Sequence, residues 1–374
     1  MSHEPTALFL TPGDIRRQTG GSIYNRKLAE SLTERGFRLD VVTVPDLPWF
    51  AGLVAGVVIA PLLLLRLARR KYDVVIEDGW TLPATFLFNV ACSMSGLRLV
   101  IIVHQVRSQA MKLPARFIAR MVERVSLRAA QLIVTVSGFI SGEVERLVGS
   151  NQRIALAPPG SVPLLDATRD RGTSKGVPLG LLFVGNCTRL KGLDYLIAAF
   201  GLLHDTPVRL DVVGDVSFEP RYYKKLVRQA KALGVSERVV FHGAVSHEEL
   251  GRFYSEADVF TFPSLYEGFG IVLAEAMHAG LPIVTTRTGA VDEILREGEN
   301  ALIVPAADSE ALAGAIRLLA ANSDTRAAFG RRSRELADSL PTWKQTCDDV
   351  CHRIEIMIRT SRDRTQTMKK TPRR

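Results

Sequence analysis

Short runs of aliphatic and β-branched residues recur along the chain, separated by stretches in which apolar residues return every three or four positions. Ala7–Leu10, Leu39–Val44, Asp73–Ile76, Leu99–Val103 and Leu132–Val136 read as strands, with helices over Ser22–Arg35, which stops at Gly36, and Leu113–Arg128. The rhythm lapses over Ser161–Pro178, a polar stretch with Gly and Pro and no periodicity. It then restarts, with strands at Leu179–Val184, Arg209–Val213, Val239–His242, Asp258–Phe262 and Pro282–Thr285. Helices fall between these at Gly192–Leu203, Pro220–Leu233, Ser246–Ala257 and Ile271–Ala279. Strands alternating with helices predict parallel sheets covered on both faces, an α/β fold. The expected organisation is two tandem Rossmann-like, doubly wound domains, 1–165 and 179–340, joined by a linker at 166–178. A helix within 341–359 is expected to pack back on the first domain, and a basic, disordered tail to fill 360–374. In such sheets ligands bind beyond the carboxyl ends of the strands, so the two domains are expected to face a central cleft.

Trp49–Leu65 breaks the pattern, being uncharged for 17 residues. That length lies at the lower limit for a membrane span, and Pro61 interrupts it, so a buried or membrane-surface helix is expected. Charge sharpens the picture. The net charge of +9 is uneven: residues 1–165 hold 19 Lys and Arg against 12 Asp and Glu, whereas 166–358 hold 22 against 26. A basic first lobe suits an anionic partner. No RRM, KH or zinc-finger pattern is present and aromatics are 7%, which disfavours nucleic acid. The four cysteines, Cys92, Cys187, Cys347 and Cys351, are scattered and read as free thiols of a reducing cytosol. Met1–Asp14 lacks the pattern of a secretory signal, which points to a cytoplasmic location.

The chemistry concentrates in Pro263–Gly280. A strand ends at Phe262, the turn Glu267-Gly268-Phe269-Gly270 follows, and a helix begins. The first turn of that helix, Gly270, Ile271, Val272 and Leu273, offers unpaired N–H groups at the positive end of the helix dipole, a phosphate site by geometry. Glu267 and Glu275 flank it, and carboxylates accept hydrogen bonds from sugar hydroxyls.

This segment resembles the E-x7-E signature of the retaining GT-B glycosyltransferases of family 4, with Gly268, Phe269 and Gly270 included in the likeness. The resemblance implies that Glu267 contacts the donor sugar, that Glu275 contacts the nucleotide ribose, and that the Phe269–Val272 backbone holds phosphate and sugar. Leu182–Gly192 resembles the family's V-G-R-x4-K-G phosphate-binding stretch. Lys191 matches the family lysine, Asn186 stands where the family has arginine, and Arg189 is the candidate substitute cation. Gly20 and Gly21 match a family Gly-Gly after the first strand, with Arg16 or Arg17 nearby. His104, after strand Leu99–Val103, matches a region where related enzymes place a histidine beside the transferred sugar. The resemblance implies a hexosyltransferase that uses a nucleotide diphosphate sugar and a hydroxyl acceptor, in polysaccharide or glycoconjugate synthesis. No D-x-D pair is placed to carry a metal, so no metal or other cofactor is expected, and Lys191, an Arg and the helix start must neutralise the leaving diphosphate.

Lys112, Arg116, Arg120, Arg124 and Arg128 recur every four residues as one stripe, with Phe117, Ile118, Met121, Val122 and Val125 mostly off it. The stripe reads as a solvated face of a core helix or as a contact for anionic lipid headgroups. The second reading carries an expectation of peripheral attachment to the inner face of the cytoplasmic membrane and a lipid-linked acceptor. Rival readings are a GT-B epimerase, a phosphorylase, and a sugar-nucleotide-binding protein without turnover. A dehydrogenase is disfavoured because neither first strand is followed by G-x-G-x-x-G.

Overall fold

A computed structural model describes residues 4–149, 153–161 and 178–370, with side chains through residue 360. It divides into two units, Met1–Gly160 with Pro341–Arg374, and Ser161–Leu340. Most of the expected linker, 166–177, lies outside the described residues.

The first unit runs β1 (Thr6–Pro12), α1 (Gly20–Glu34), β2 (Arg38–Val44), α2 (Trp49–Arg69), β3 (Val74–Asp78), α3 (Leu82–Ser95), β4 (Leu99–Val103), α4 (Ala115–Ala129), β5 (Leu132–Thr135), α5 (Gly138–Val148) and β6 (Ile154–Leu156). The strands form one parallel sheet in the order β2-β1-β3-β4-β5-β6. Every residue of β3 and β4 is buried, as an apolar strand covered on both faces requires. Edge strand β2 is half exposed and correspondingly mixed in sequence.

The second unit runs β7 (Leu179–Val184), α6 (Leu193–Gly201), β8 (Val208–Val213), α7 (Pro220–Ala232), β9 (Val239–Gly243), α8 (His247–Glu256), β10 (Val259–Phe262), α9 (Ile271–His278), β11 (Ile283–Thr286), α10 (Val291–Ile294), β12 (Ala301–Val304), α11 (Ser309–Ala321) and α12 (Ser323–Ala337). Its sheet is also parallel, in the order β12-β11-β10-β7-β8-β9. The chain direction across the sheet reverses between β7 and β10, and in the first unit between β1 and β3. Such switch points open a crevice at the carboxyl end of a sheet.

The last helix, α13 (Trp343–Lys370), belongs to the first unit. Cys347, Val350, Cys351, Ile354 and Ile358 form its buried stripe at helical spacing, and Arg35, just past the end of α1, pairs with Asp348 at 2.8 Å and Glu355 at 3.2 Å. The two cysteines are therefore core residues, with Cys351 Sγ 3.6 Å from Ser31 Oγ.

Several expectations change. The tail expected to be disordered from 360 continues as helix to Lys370, since no Gly or Pro interrupts it before Pro372. The first helix starts at Gly20 rather than at Ser22, so Gly20 and Gly21 lie inside the first turn of α1, capped by Thr19. Helix α3 escaped the pattern because it is apolar with little periodicity, and β6 because it is three residues long. On α4 the buried face is Ala119, Val122, Glu123, Ser126 and Leu127, so Phe117, Ile118, Met121 and Val125 are exposed beside the basic residues.

Candidate functional site

In the second unit the loops after β7 and β10 meet at the switch point. Leu265 N–H donates to Leu190 C=O at 2.7 Å and Ser264 Oγ to the same oxygen at 3.1 Å. The approach is closest at Gly192, whose φ of +66° favours glycine and whose added Cβ would lie 2.0 Å from Pro263 O. The strand-to-helix turns thereby hold Lys191 and Glu267 against each other: Lys191 Nζ donates to Glu267 Oε2 at 2.5 Å. The Lys191 ammonium also sits 4.8 Å over the Phe262 ring. The other Glu267 oxygen accepts the Gly268 N–H at 3.1 Å.

Glu267 is buried, as are Gly268, Phe269 and Gly270, while Ile271 and Val272 are half-buried. Gly270, at φ +91°, caps α9 and turns the chain so that α9 starts beside Glu267 with the Ile271 and Val272 amides, the Leu273 N–H being paired with Gly270 C=O at 2.9 Å. From behind, Thr285 donates to Phe262 C=O at 2.7 Å, and Thr286 and Thr288 both donate to Ser264 C=O. Gly289 backs on Glu267 so closely that an added Cβ would lie 1.8 Å from its carbonyl oxygen. These threonines and Gly289 were not singled out from sequence. Their signal was only a polar run, Thr285–Gly289, following a buried strand.

Glu275 lies one turn further into α9. Burial pushes its carboxyl up to about 7, against the opposing hydrogen bond from Tyr254. Tyr254 Oη donates to Glu275 Oε2 at 2.8 Å, so one of the two carboxylate oxygens is already engaged.

The structure does not bring Arg189 to this cluster. Its side chain is exposed and lies 3.5 Å from Glu219. Asn186 serves the backbone instead, accepting the Asp215 N–H at 3.3 Å and tying the β7 loop to the end of β8. Among the described residues no three His, Cys, Asp or Glu side chains gather as a metal site.

In the first unit the switch point collects a second cluster. A Cβ on Gly21 would lie 3.2 Å from His104 Cδ2, a tight contact, so glycine eases the close approach of α1 to the histidine. His104 Nε2 faces Asn25 Oδ1 at 3.3 Å and Asp78 Oδ2 at 3.5 Å. Asn25 Nδ2 donates to Asp78 Oδ2 at 2.5 Å, so the Asn25 oxygen is the atom turned to the ring. Both groups facing Nε2 are acceptors, which fixes the proton on Nε2 and leaves Nδ1 as an acceptor. Burial lowers the His104 pKa, and the Asp78 carboxylate opposes that. Asn25 and Asp78 were also missed in the sequence, because each looks like an ordinary helix or strand-end polar residue. Tyr24, edge-on to both His104 at 5.2 Å and Trp343 at 5.9 Å, links the cluster to α13.

Comparison with known proteins agrees with these two halves. The model for "Glycosyl transferases group 1" matches residues 167–336, and that for "Glycosyl transferase 4-like domain" matches residues 19–160. A D-inositol 3-phosphate glycosyltransferase of Acidothermus cellulolyticus is 30% identical over 355 residues, covering 80% of this chain and 78% of the relative. Of other curated relatives with that name the chain spans about half the length, 55% in one and 54% in another. Among solved structures, the sucrose-phosphate synthase of Thermosynechococcus elongatus matches with a TM-score of 0.81 at 21% identity, over 95% of this chain and all of that one (100%). Anabaena Alr3699/HepE, in complex with UDP and glucose, matches with a TM-score of 0.76 at 19% identity, over 93% and 99%. At these identities the structures establish a shared fold, GT-B.

Proposed function

We propose that this chain, which belongs to the group 1 glycosyltransferases of family 4, transfers a hexosyl group from a nucleotide diphosphate sugar to a hydroxyl acceptor with retention at the transferred carbon. The second unit takes the donor and the first the acceptor. The observation that carries this reading is the Lys191–Glu267 contact at 2.5 Å, set beside the open amides of α9.

Breaking the bond between sugar and diphosphate develops positive charge on the ring and negative charge on the leaving group. Lys191 and the Phe269–Val272 amides meet the second of these charges, held in place before the donor arrives. Glu267 accepts the sugar hydroxyls, and the ribose lies toward Glu275. His104, neutral with a bare Nδ1, accepts a hydrogen bond from a hydroxyl of the acceptor or of the transferred sugar and so positions it. The acceptor class we favour is lipid-linked, within polysaccharide or glycoconjugate synthesis on the cytoplasmic face of a membrane. The basic, apolar-faced first unit supports that choice.

The test is a turnover assay with UDP-, GDP- and ADP-hexoses and a panel of hydroxyl acceptors, with the anomeric configuration of the product read by NMR. One donor should be consumed with its configuration kept. Consumption of none, or an inverted product, contradicts the proposal.

A further inference from the structure

Helix α2 has no polar face over its first 17 residues, Trp49–Leu65. Its one acceptable soluble arrangement would be complete burial, yet only one stripe is covered: Trp49, Gly52, Gly56, Ala60 and Leu63. That stripe lies on α3 at backbone distance. A Cβ on Gly56 would come 2.9 Å from Ala84 O, and one on Gly52 3.4 Å from Pro83 Cβ. The opposite stripe, Phe50, Val54, Val57, Val58, Leu62 and Leu65, is open, with Val54 73%, Val57 64% and Leu62 61% exposed. The apolar surface does not end with α2. Trp49 and Leu53 of α2 pack with Phe86 of α3 and with Ala119 and Val122 of α4, so the three helices form one layer. Leu87 and Met94 of α3 and Phe117 and Met121 of α4 are exposed as well, Phe117 by 69%. An apolar surface of this extent has a partner.

Charge identifies the partner. Besides Arg66, which pairs with Asp40 at 2.6 Å, the three helices carry Arg69, Arg116, Arg120, Arg124 and Arg128 against a single carboxylate, Glu123, which is buried and accepts the Ser108 N–H at 3.1 Å. Two copies of the chain meeting through this face would oppose like charges over an apolar centre. An anionic lipid leaflet offers hydrocarbon to the valines and leucines and phosphate to the arginines.

We infer that the α2–α3–α4 layer is a membrane-insertion surface, with α2 lying in the plane of an anionic leaflet and its Phe50–Leu65 stripe in the acyl boundary. The 21 residues of α2 would span a bilayer by length, but a spanning α2 would have to leave α3, and Gly52 and Gly56 pin it there. The stripe on α4 adds electrostatic attraction, while α2 supplies the salt-resistant part. This inference does not rest on the donor chemistry, and it gives the lipid-linked acceptor its setting.

The test is flotation of the full chain with vesicles of phosphatidylcholine alone or mixed with phosphatidylglycerol, at low and high salt. Binding to the mixed vesicles is expected, reduced but not abolished by salt. Val57→Glu with Leu62→Glu should lower it at least tenfold at either salt, an order-of-magnitude figure. Arg120→Gln with Arg124→Gln should lower it about tenfold at low salt only. Far-UV circular dichroism and melting report that these exposed substitutions fold, and donor turnover with a water-soluble acceptor should match the parent, so a failed transferase reading is seen separately. The inference is overturned if the parent does not float, if the double glutamate variant floats equally well, if the parent forms a vesicle-independent dimer that this variant dissolves, or if bound protein resists alkaline carbonate as a spanning protein does.

Discussion

Lys191 and Glu267, 76 residues apart, meet at 2.5 Å because two loops converge on one switch point of the second sheet. Both side chains are largely withdrawn from water, 23% and 10% exposed, so removing one leaves the other without its partner. Lys191→Ala should lower turnover at least 100-fold, an order-of-magnitude figure for a group that meets charge developing in the transition state. It should also destabilise the chain by about 1–3 kcal/mol, the cost of an unpaired carboxylate discounted for partial exposure. Arg189→Ala, at an exposed position paired with Glu219, should leave turnover within about threefold of the parent. Steady-state kinetics and thermal melting of the two purified variants check this, and equal losses would refute the ranking.

A residue with no functional group should matter as much. Gly192→Ala forces a Cβ to 2.0 Å from Pro263 O at a left-handed φ, which the two loops can relieve only by separating. Turnover should fall about as far as in Lys191→Ala, at least 100-fold, while the sheet beneath stays folded. Far-UV circular dichroism with kinetics decides; parent-like activity would mean that the loop contact does not position the pair.

With Glu275 at the ribose, as proposed, donor binding should depend on pH. Its folded pKa is raised to about 7, so its contribution to stability is present below the ordinary carboxyl range and lost as pH rises through about 7. Ribose hydroxyls prefer the ionised form, so a nucleotide diphosphate sugar should bind more tightly as pH rises, by up to about tenfold per unit below pH 7. Calorimetric titration across that range should find the slope in the parent and a flat profile in Glu275→Gln. A flat parent profile would remove Glu275 from the ribose.

His104 should be neutral and carry its proton on Nε2. Nitrogen NMR of histidine-labelled protein should find that tautomer persisting below the usual histidine pKa of about 6.5, because burial favours the neutral ring. Because the unfolded chain binds this proton more readily, stability from His104 is present above that value and lost as pH falls. A proton on Nδ1 would break the Asn25 and Asp78 argument.

Much of this was legible in the chain. The β7 to α6 and β10 to α9 passages announced themselves as apolar runs ending in Gly-containing turns; Glu267 was found from its turn, and Lys191 from the resemblance of its stretch to the family's phosphate-binding pattern. The partners that hold them were not, since Thr286 and Gly289 act through backbone contacts made only when β11 lies beside β10. Asn25 and Asp78 were silent for the same reason: strand order, not spacing, brings them to His104. Helix α2 gave the opposite problem. Its composition marked it as unusual, but only the packing of Gly52 and Gly56 on α3 tells which face is spent and which is open.

The most direct measurement is a crystal structure of the chain soaked with the nucleotide diphosphate sugar selected by the donor panel. The pyrophosphate should lie within hydrogen-bonding distance of the Phe269–Val272 amides and Lys191 Nζ, with the sugar against Glu267. A pyrophosphate bound elsewhere, or those amides left facing solvent beside an occupied second position, would contradict the account.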